Sequence, residues 1–488
     1  MRRRRLGAFA MAALFAVSAC GSGTTSPAPV TTAPSAEPAS QAPASAGPES
    51  QPPASATAGG SITFWTAEDN ADRVAATQAI VDEFTAKSGI DVKVVAIAED
   101  QLQAQVTAAS AAGTLPDVYG ALSLGFVHSL AAAGIADSDA AQAVVAGLGV
   151  DTFSPRALEL VTAGGSLIGV PSDSWAQMLV YRKDLFQKAG LAAPTSFDAI
   201  LAAATALNKD GMAGIVAATG PADSFTQQTF EYFALANGCQ LTDSGGNITL
   251  TSPQCVEAFT FYTNLITKGS VAGVQDADTT RAAYFAGDAA MIVWSSFLLD
   301  ELAGLRNDAL PTCAECASDP LYLAANSGIV TAVSGPSGSP TQFGEQVSFV
   351  IGKDGNTAAA QAFVAYMMSD GYVDWLALAP EGKFPTRLGT TANKTEFTAA
   401  WATLPTGVDQ KKPLGELYPT DVVDTLTQSV NTMNRWGFPQ GQGALVGPIL
   451  VELPVPKTLA QALDGTVTAE QAAANAQADV EEIAKSLQ

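Results

Sequence analysis

The stretch Ser61–Ile97, SITFWTAEDNADRVAATQAIVDEFTAKSGIDVKVVAI, decides how the rest of the chain is read. SITFW (Ser61–Trp65) is rich in β-branched and aromatic residues and reads as a strand. DRVAATQAIVDEFTAKSG then places apolar residues three and four apart and stops at Gly89, as a helix with a terminating glycine does. IDVKVVAI alternates apolar and polar residues, the mark of a strand with one buried face. Strand, helix, strand is the unit of a layered α/β protein, and it predicts a largely parallel sheet.

Working outward, the alternation continues. DQLQAQVTAASAAG and FVHSLAAAG are helical, with the strand-like DVYGAL between them. MLVYRKDLFQKAG leads into a helix, SFDAILAAATALNKDG forms another, and TAEQAAANAQADVEEIAKSLQ closes the chain as a third. No fixed-period repeat interrupts this order.

Upstream the sequence changes character. Arg2–Arg5 form a basic cluster ahead of an apolar run, Leu6–Val17, too short to span a bilayer as a helix. A charged start, a short apolar middle and a small-residue exit describe a secretory signal over residues 1–19. Val17-Ser18-Ala19-Cys20 resembles a bacterial lipobox, in which the signal is cut before the cysteine and the thiol receives lipid. The alternative is an ordinary signal cut nearby, which leaves Cys20 an exposed odd thiol. Residues 20–60 are rich in Pro, Ala, Ser and Thr and carry only Glu37 and Glu49 as charges. Such a segment buries too little apolar surface to order itself and acts as a disordered, extended tether. The anchor would be the only membrane contact.

From Ser61 to Gln488 the chain is too long for one comfortable core and calls for two lobes. The formal net charge of −23 argues against nucleic acid, whose binding rests on Lys and Arg contacts to phosphate. Four further cysteines suit an oxidising exterior. Cys239 and Cys255 bracket a polar hairpin-like insert and read as a disulfide. Cys313 and Cys316 form CAEC in loop-like sequence; a local disulfide is the reading there, with metal or redox chemistry as alternatives.

The motifs ITFWTAEDN, AGTLPDVY, IGVPSDSWAQMLVYRKDLF, AGDAAMIVWSSF and EGKFPTRLGT, taken in order, resemble the extracellular solute-binding proteins of bacterial ABC sugar importers, in the maltose-binding-protein-like group. The CAEC insert and Asn431–Pro448 depart from that pattern. The resemblance implies an α/β fold of two discontinuous lobes joined by hinge crossings near Pro171, residues 340–345 and Gly382–Pro385. Lobe 1 would hold 61–171 and about 345–382, and lobe 2 would hold 172–344 and about 383–488. A mono- or oligosaccharide would lie in the cleft, without cofactor or metal. The protein would be an extracytoplasmic, membrane-anchored monomer that delivers its solute to the permease subunits.

A sugar presents apolar C–H faces and a rim of hydroxyls, so its site needs aromatic platforms and fixed polar groups. In similar proteins an aromatic at Trp294 or Phe297 stacks on the sugar, and a contact follows the first crossing, at Trp175; core packing is the alternative for each. Asp173 beside it is a hydroxyl acceptor candidate. Glu68, Asp69 and Asn70 follow the first strand, where open α/β sheets bind ligands, though Asp69 or Asn70 could instead cap the next helix. Tyr119, Gln227 and Gln228 are further candidates. Arg387 could donate a bidentate pair to hydroxyls or a phosphate, or form an interlobe salt bridge. Trp65, Trp375 and Trp401 read as core, and Trp436 has no assigned place.

Two other ligand classes stay open, a glycerophosphodiester through Arg387 and a polyamine through Glu68, Asp69 and Asp173. An enzyme is the remaining alternative. It is disfavoured because the chain has one histidine and no HExxH, GxSxG or Walker loop.

Overall fold

The structure, a computed structural model, describes residues 60–487. The signal, the Cys20 anchor and the tether up to residue 59 lie outside the described residues. Gly60, assigned to the tether from sequence, instead opens the first strand.

Strand β1 (Gly60–Thr66), helix α1 (Ala71–Ser88) and strand β2 (Ile90–Ala96) form where the 61–97 stretch predicts them. Gly89 ends α1 at φ 73°, a left-handed conformation open to glycine, and its N–H donates to the Thr85 carbonyl. β1 and β2 run parallel, with Ile62 beside Val92 and Phe64 beside Val94. Helix α2 (Glu99–Ala112), strand β3 (Val118–Ser123) and helix α3 (Leu124–Ala132) follow, and β3 lies parallel to β1 on its other side.

The expectation of a largely parallel sheet holds at this edge and elsewhere only for the short pairing of Met433–Asn434 with Gln342–Phe343 and for isolated bridges among the described residues. Strand Thr341–Ile351 pairs antiparallel with β3, and strand Val170–Arg182 pairs antiparallel with Thr341–Ile351. The short strand Phe384–Pro385 then lies against Ser174 and Asp173. Beyond this region, Gln177–Arg182 pairs with the strands Met291–Ser295 and Ser327–Val330. The start of Thr341–Ile351 pairs with Ala332–Val333 and Met433–Asn434. The two long strands therefore serve both halves of the molecule. A chain that leaves one half and returns must reverse direction, which is why its crossing strands are antiparallel.

Two large cores result. One gathers Ile62, Phe64, Val118, Phe349, Phe363 and Trp375; the other gathers Phe230, Phe233, Phe259, Tyr262, Val293 and Trp436. Trp375 and Trp401 are fully buried, as their helical runs suggested. Trp436 is buried too, and its Nε1 donates to the Cys239 carbonyl at 2.9 Å. Cys239 is joined to Cys255, and Cys313 to Cys316.

The stretch 431–448, which matched no motif, ties the halves together. The Arg435 guanidinium lies buried between the carboxylates of Glu231, at 3.0 Å, and Glu345. Glu345 sits on the crossing strand and also accepts the Leu124 N–H at the start of α3. Helix Gly443–Glu452 then packs against α3 so closely that a Cβ at Gly443 would collide with the His128 ring and one at Gly447 with Ser129 Oγ.

Candidate functional site

The loop 67–70 leaves the carboxyl end of β1, and Asn70 occupies the N-cap of α1 without using its side chain. The polar groups of Asp69 and Asn70 therefore stay exposed rather than serving as caps. Near the carboxyl end of β3, Ala121 adopts φ 56°, a conformation costly to any residue with a Cβ. The crossing strand and the 382–383 turn complete a cavity of about 270 Å³.

Six of the expected residues meet there: Glu68, Asp69, Asn70, Asp173, Trp175 and Phe297. Arg73, Glu99, Val347, Gly382 and Lys383, none of them selected from sequence, share the wall. The Phe297 ring lies against the Gly382 backbone where any Cβ would clash, and the Arg73 guanidinium stands 5.4 Å from the centroid of that ring.

The wall is held by charge. Lys383 Nζ lies 2.5 Å from Glu68 Oε1 and 3.4 Å from Asp173 Oδ1, and Arg73 reaches Glu68 Oε2 at 3.3 Å. Burial alone would raise the Glu68 carboxyl, but Lys383 and then Arg73 outweigh it and hold the pKa below its ordinary value. Burial likewise acts to lower the Lys383 ammonium, and the carboxylates of Asp173 and Glu68 more than reverse it. Asp173 also accepts from Trp375 Nε1 at 2.8 Å and from Ser172 Oγ at 2.6 Å. It is almost fully buried, so its role is to orient the wall rather than to offer free oxygens.

Five expected residues are not brought to this cavity: Gln227, Gln228, Arg387, Tyr119 and Trp294. Arg387 is buried, with Nε donating to Thr152 Oγ1 at 3.1 Å and its other nitrogens to the Leu148 and Met368 carbonyls. Its guanidinium lies over Phe153 and Phe397, and among the described residues it has no carboxylate partner, so the salt-bridge alternative fails as well. Tyr119 points from β3 into a core with Leu122 and Val350, edge-on to Trp65. Trp294 faces helix Ala277–Ala286, where its Nε1 donates to the Ala277 carbonyl at 3.0 Å and Arg281 covers its ring. Strand alternation turned both aromatics away from the cavity.

The family profile described as bacterial extracellular solute-binding protein matches residues 67–374, most of the described chain. The chain belongs to the bacterial extracellular solute-binding proteins. This solute-binding protein is 27% identical over 376 residues to YcjN of Escherichia coli K12, a periplasmic-binding protein ascribed to an ABC transporter; the match covers 75% of this chain and 80% of YcjN. Among solved structures it resembles the GacH receptor of Streptomyces glaucescens, at 21% identity and a TM-score of 0.65, covering 88% of this chain and 99% of that one. It also resembles maltose-bound MalE3 of T. maritima, at 19% identity and a TM-score of 0.66, covering 87% and 100%. These likenesses establish the two-lobed fold.

In the solute-binding protein a second cavity, of about 560 Å³, adjoins the first and shares Ala67, Glu99 and Ala121 with it. Gln228 lines this second cavity, whereas its neighbour Gln227 is buried. Glu99 opens to solvent at the junction, yet enclosure by the walls, followed by the carboxylates of Glu345, Asp69, Glu68 and Asp100, raises its pKa. Glu99 follows β2 just as Glu68–Asn70 follow β1, so the rule that picked the first loop could have found it. Lys383 had a weaker signal, lying four residues before Arg387 in the same motif.

Proposed function

We infer that this protein is the substrate-binding component of an ABC importer and captures a mono- or oligosaccharide between its lobes. The observation that carries the reading is the meeting of Trp175 and Phe297 with Asp69, Asn70 and Glu99 in one cavity beside the crossing strands. Ring faces for C–H surfaces and polar groups for hydroxyls are the two requirements of sugar recognition. MalE3, a similar structure, holds maltose.

In this reading lobe 1 comprises 61–171 and about 345–382, and lobe 2 comprises 172–344 and about 383–488. Ligand contacts to both lobes favour the closed form, which is the form the permease receives. Cleavage before Cys20 and lipid on its thiol keep the monomer at the outer face of the membrane, with residues 20–59 as tether.

A phosphodiester finds no free cation in this cavity, because Lys383 and Arg73 are engaged by Glu68 and Asp173. The carboxylates of Glu99, Asp69 and Asp100, which have no cationic partner among the described residues, favour a cationic solute and keep an amine as the second reading. A thermal-shift screen of the protein from Gly60 onward against sugars, polyols, phosphodiesters and polyamines tests the choice. A ligand at 100 times its Kd adds about 2.7 kcal/mol of stability. A shift with carbohydrates supports the sugar reading, and a shift with amines alone replaces it.

A further inference from the structure

The second cavity differs in chemistry from the first. Phe126 on α3 lines it together with Leu102, Leu122, Leu450, Val451 and Leu453, and Val451 is 67% exposed although its helix packs closely on α3. The close contact of Gly443 and Gly447 with His128 and Ser129 brings the helix that carries Leu450 and Val451 up to α3, which carries Phe126. Leu453 holds φ 50°, so the wall is built at the expense of backbone strain. Asp100, Gln103, Ser123 and Glu345 also line this cavity, but its apolar part offers nothing to sugar hydroxyls, which would lose water there without gaining partners. An apolar group, by contrast, gains by leaving water there.

We propose that the solute is a glycoside with an apolar aglycone, its sugar in the 270 Å³ cavity and its aglycone in the adjoining 560 Å³ cavity. The shared residues Ala67, Glu99 and Ala121 place the two spaces side by side, within reach of one molecule with a glycosidic link. Ser224 and Gln228 supply hydrogen-bonding groups for a polar substituent on that aglycone. This rests on the sugar reading of the first cavity and narrows it.

The test is calorimetric titration with D-glucose, D-galactose, D-mannose and D-xylose, each as the free sugar, as its phenyl glycoside and as a homodisaccharide. The expected result is that one phenyl glycoside binds about tenfold or more tighter than its free sugar and tighter than the disaccharide. Val451→Asp, at an exposed position, and Phe126→Ala, checked for folding by thermal unfolding, should each bring the ratio of the two affinities toward one. Sugar binding with no gain from the phenyl group, or a gain matched by the disaccharide and insensitive to both variants, overturns the aglycone proposal alone. Absence of binding across the whole panel overturns the sugar reading with it.

Discussion

Lys383 sets its ammonium 2.5 Å from the Glu68 carboxylate, linking the last crossing segment to the loop that follows β1. The same ammonium lies 4.3 Å from the Trp375 ring centroid and 3.4 Å from Asp173. Replacing it by Met leaves two buried carboxylates without their partner. Lys383→Met should destabilise the protein by about 3–5 kcal/mol in denaturant titration. A loss below about 1 kcal/mol would mean that water reaches and solvates the pair.

The aromatic residues separate by location. Trp175→Ala and Phe297→Ala should weaken carbohydrate binding by about tenfold or more while the fold survives, since both rings are half-buried at the cavity. Trp294→Ala should change affinity less than about twofold, because its ring packs on Phe225 and under Arg281 instead. Calorimetry on the three variants distinguishes them.

Helix Gly443–Glu452 and α3 approach within reach of each other only because Gly443 and Gly447 lack side chains. Gly447→Val should force them apart, favour an open arrangement and raise the radius of gyration in solution scattering. Affinity should fall about tenfold without loss of any cavity-lining group of the first chamber, the signature of a shifted closing equilibrium.

Asp300 is buried with no hydrogen-bond partner for either oxygen among the described residues, and burial followed by the nearby Glu381 and Glu301 carboxylates raises its pKa to about 9. The folded state therefore holds a proton that the unfolded state releases near pH 4. The stabilisation is complete below that unfolded value and is lost progressively as the pH rises toward 9. Asp300→Asn needs no proton, so its Tm should exceed that of the parent at pH 8 and approach it at pH 4. The difference should widen steadily between pH 4 and pH 8, each kcal/mol lowering the parent Tm by about 2 °C or less in a chain of this length. Equal pH profiles for the two proteins would refute the assignment.

Much of the fold was legible because it rests on local periodicity. The three- and four-residue spacing of α1, its stop at Gly89 and the alternation of β2 each encode an element without reference to distant residues. The loop 67–70 was legible for the same reason, as the end of a strand in an open sheet. Arg387 and Lys383 show where that legibility stops. Both are cations in EGKFPTRLG, and only the packing of Leu148, Thr152 and Met368 around one and of Glu68 and Asp173 around the other assigns them different work.

The sequence by itself determined the α/β character, the helix ends, the cysteine supply and the acidic charge, because composition and short-range spacing carry those properties; the solute-binding type followed from the resemblance of its ordered motifs to a known family. Tertiary structure alone decided that the crossing strands run antiparallel, that Trp294 turns from the cavity while Phe297 enters it, and that Gly443 and Gly447 admit α3. Those outcomes depend on contacts between different elements, from Trp294 with Ala277 to Gly443 with His128. Side-chain direction and close backbone approach are settled by packing, which no local pattern records.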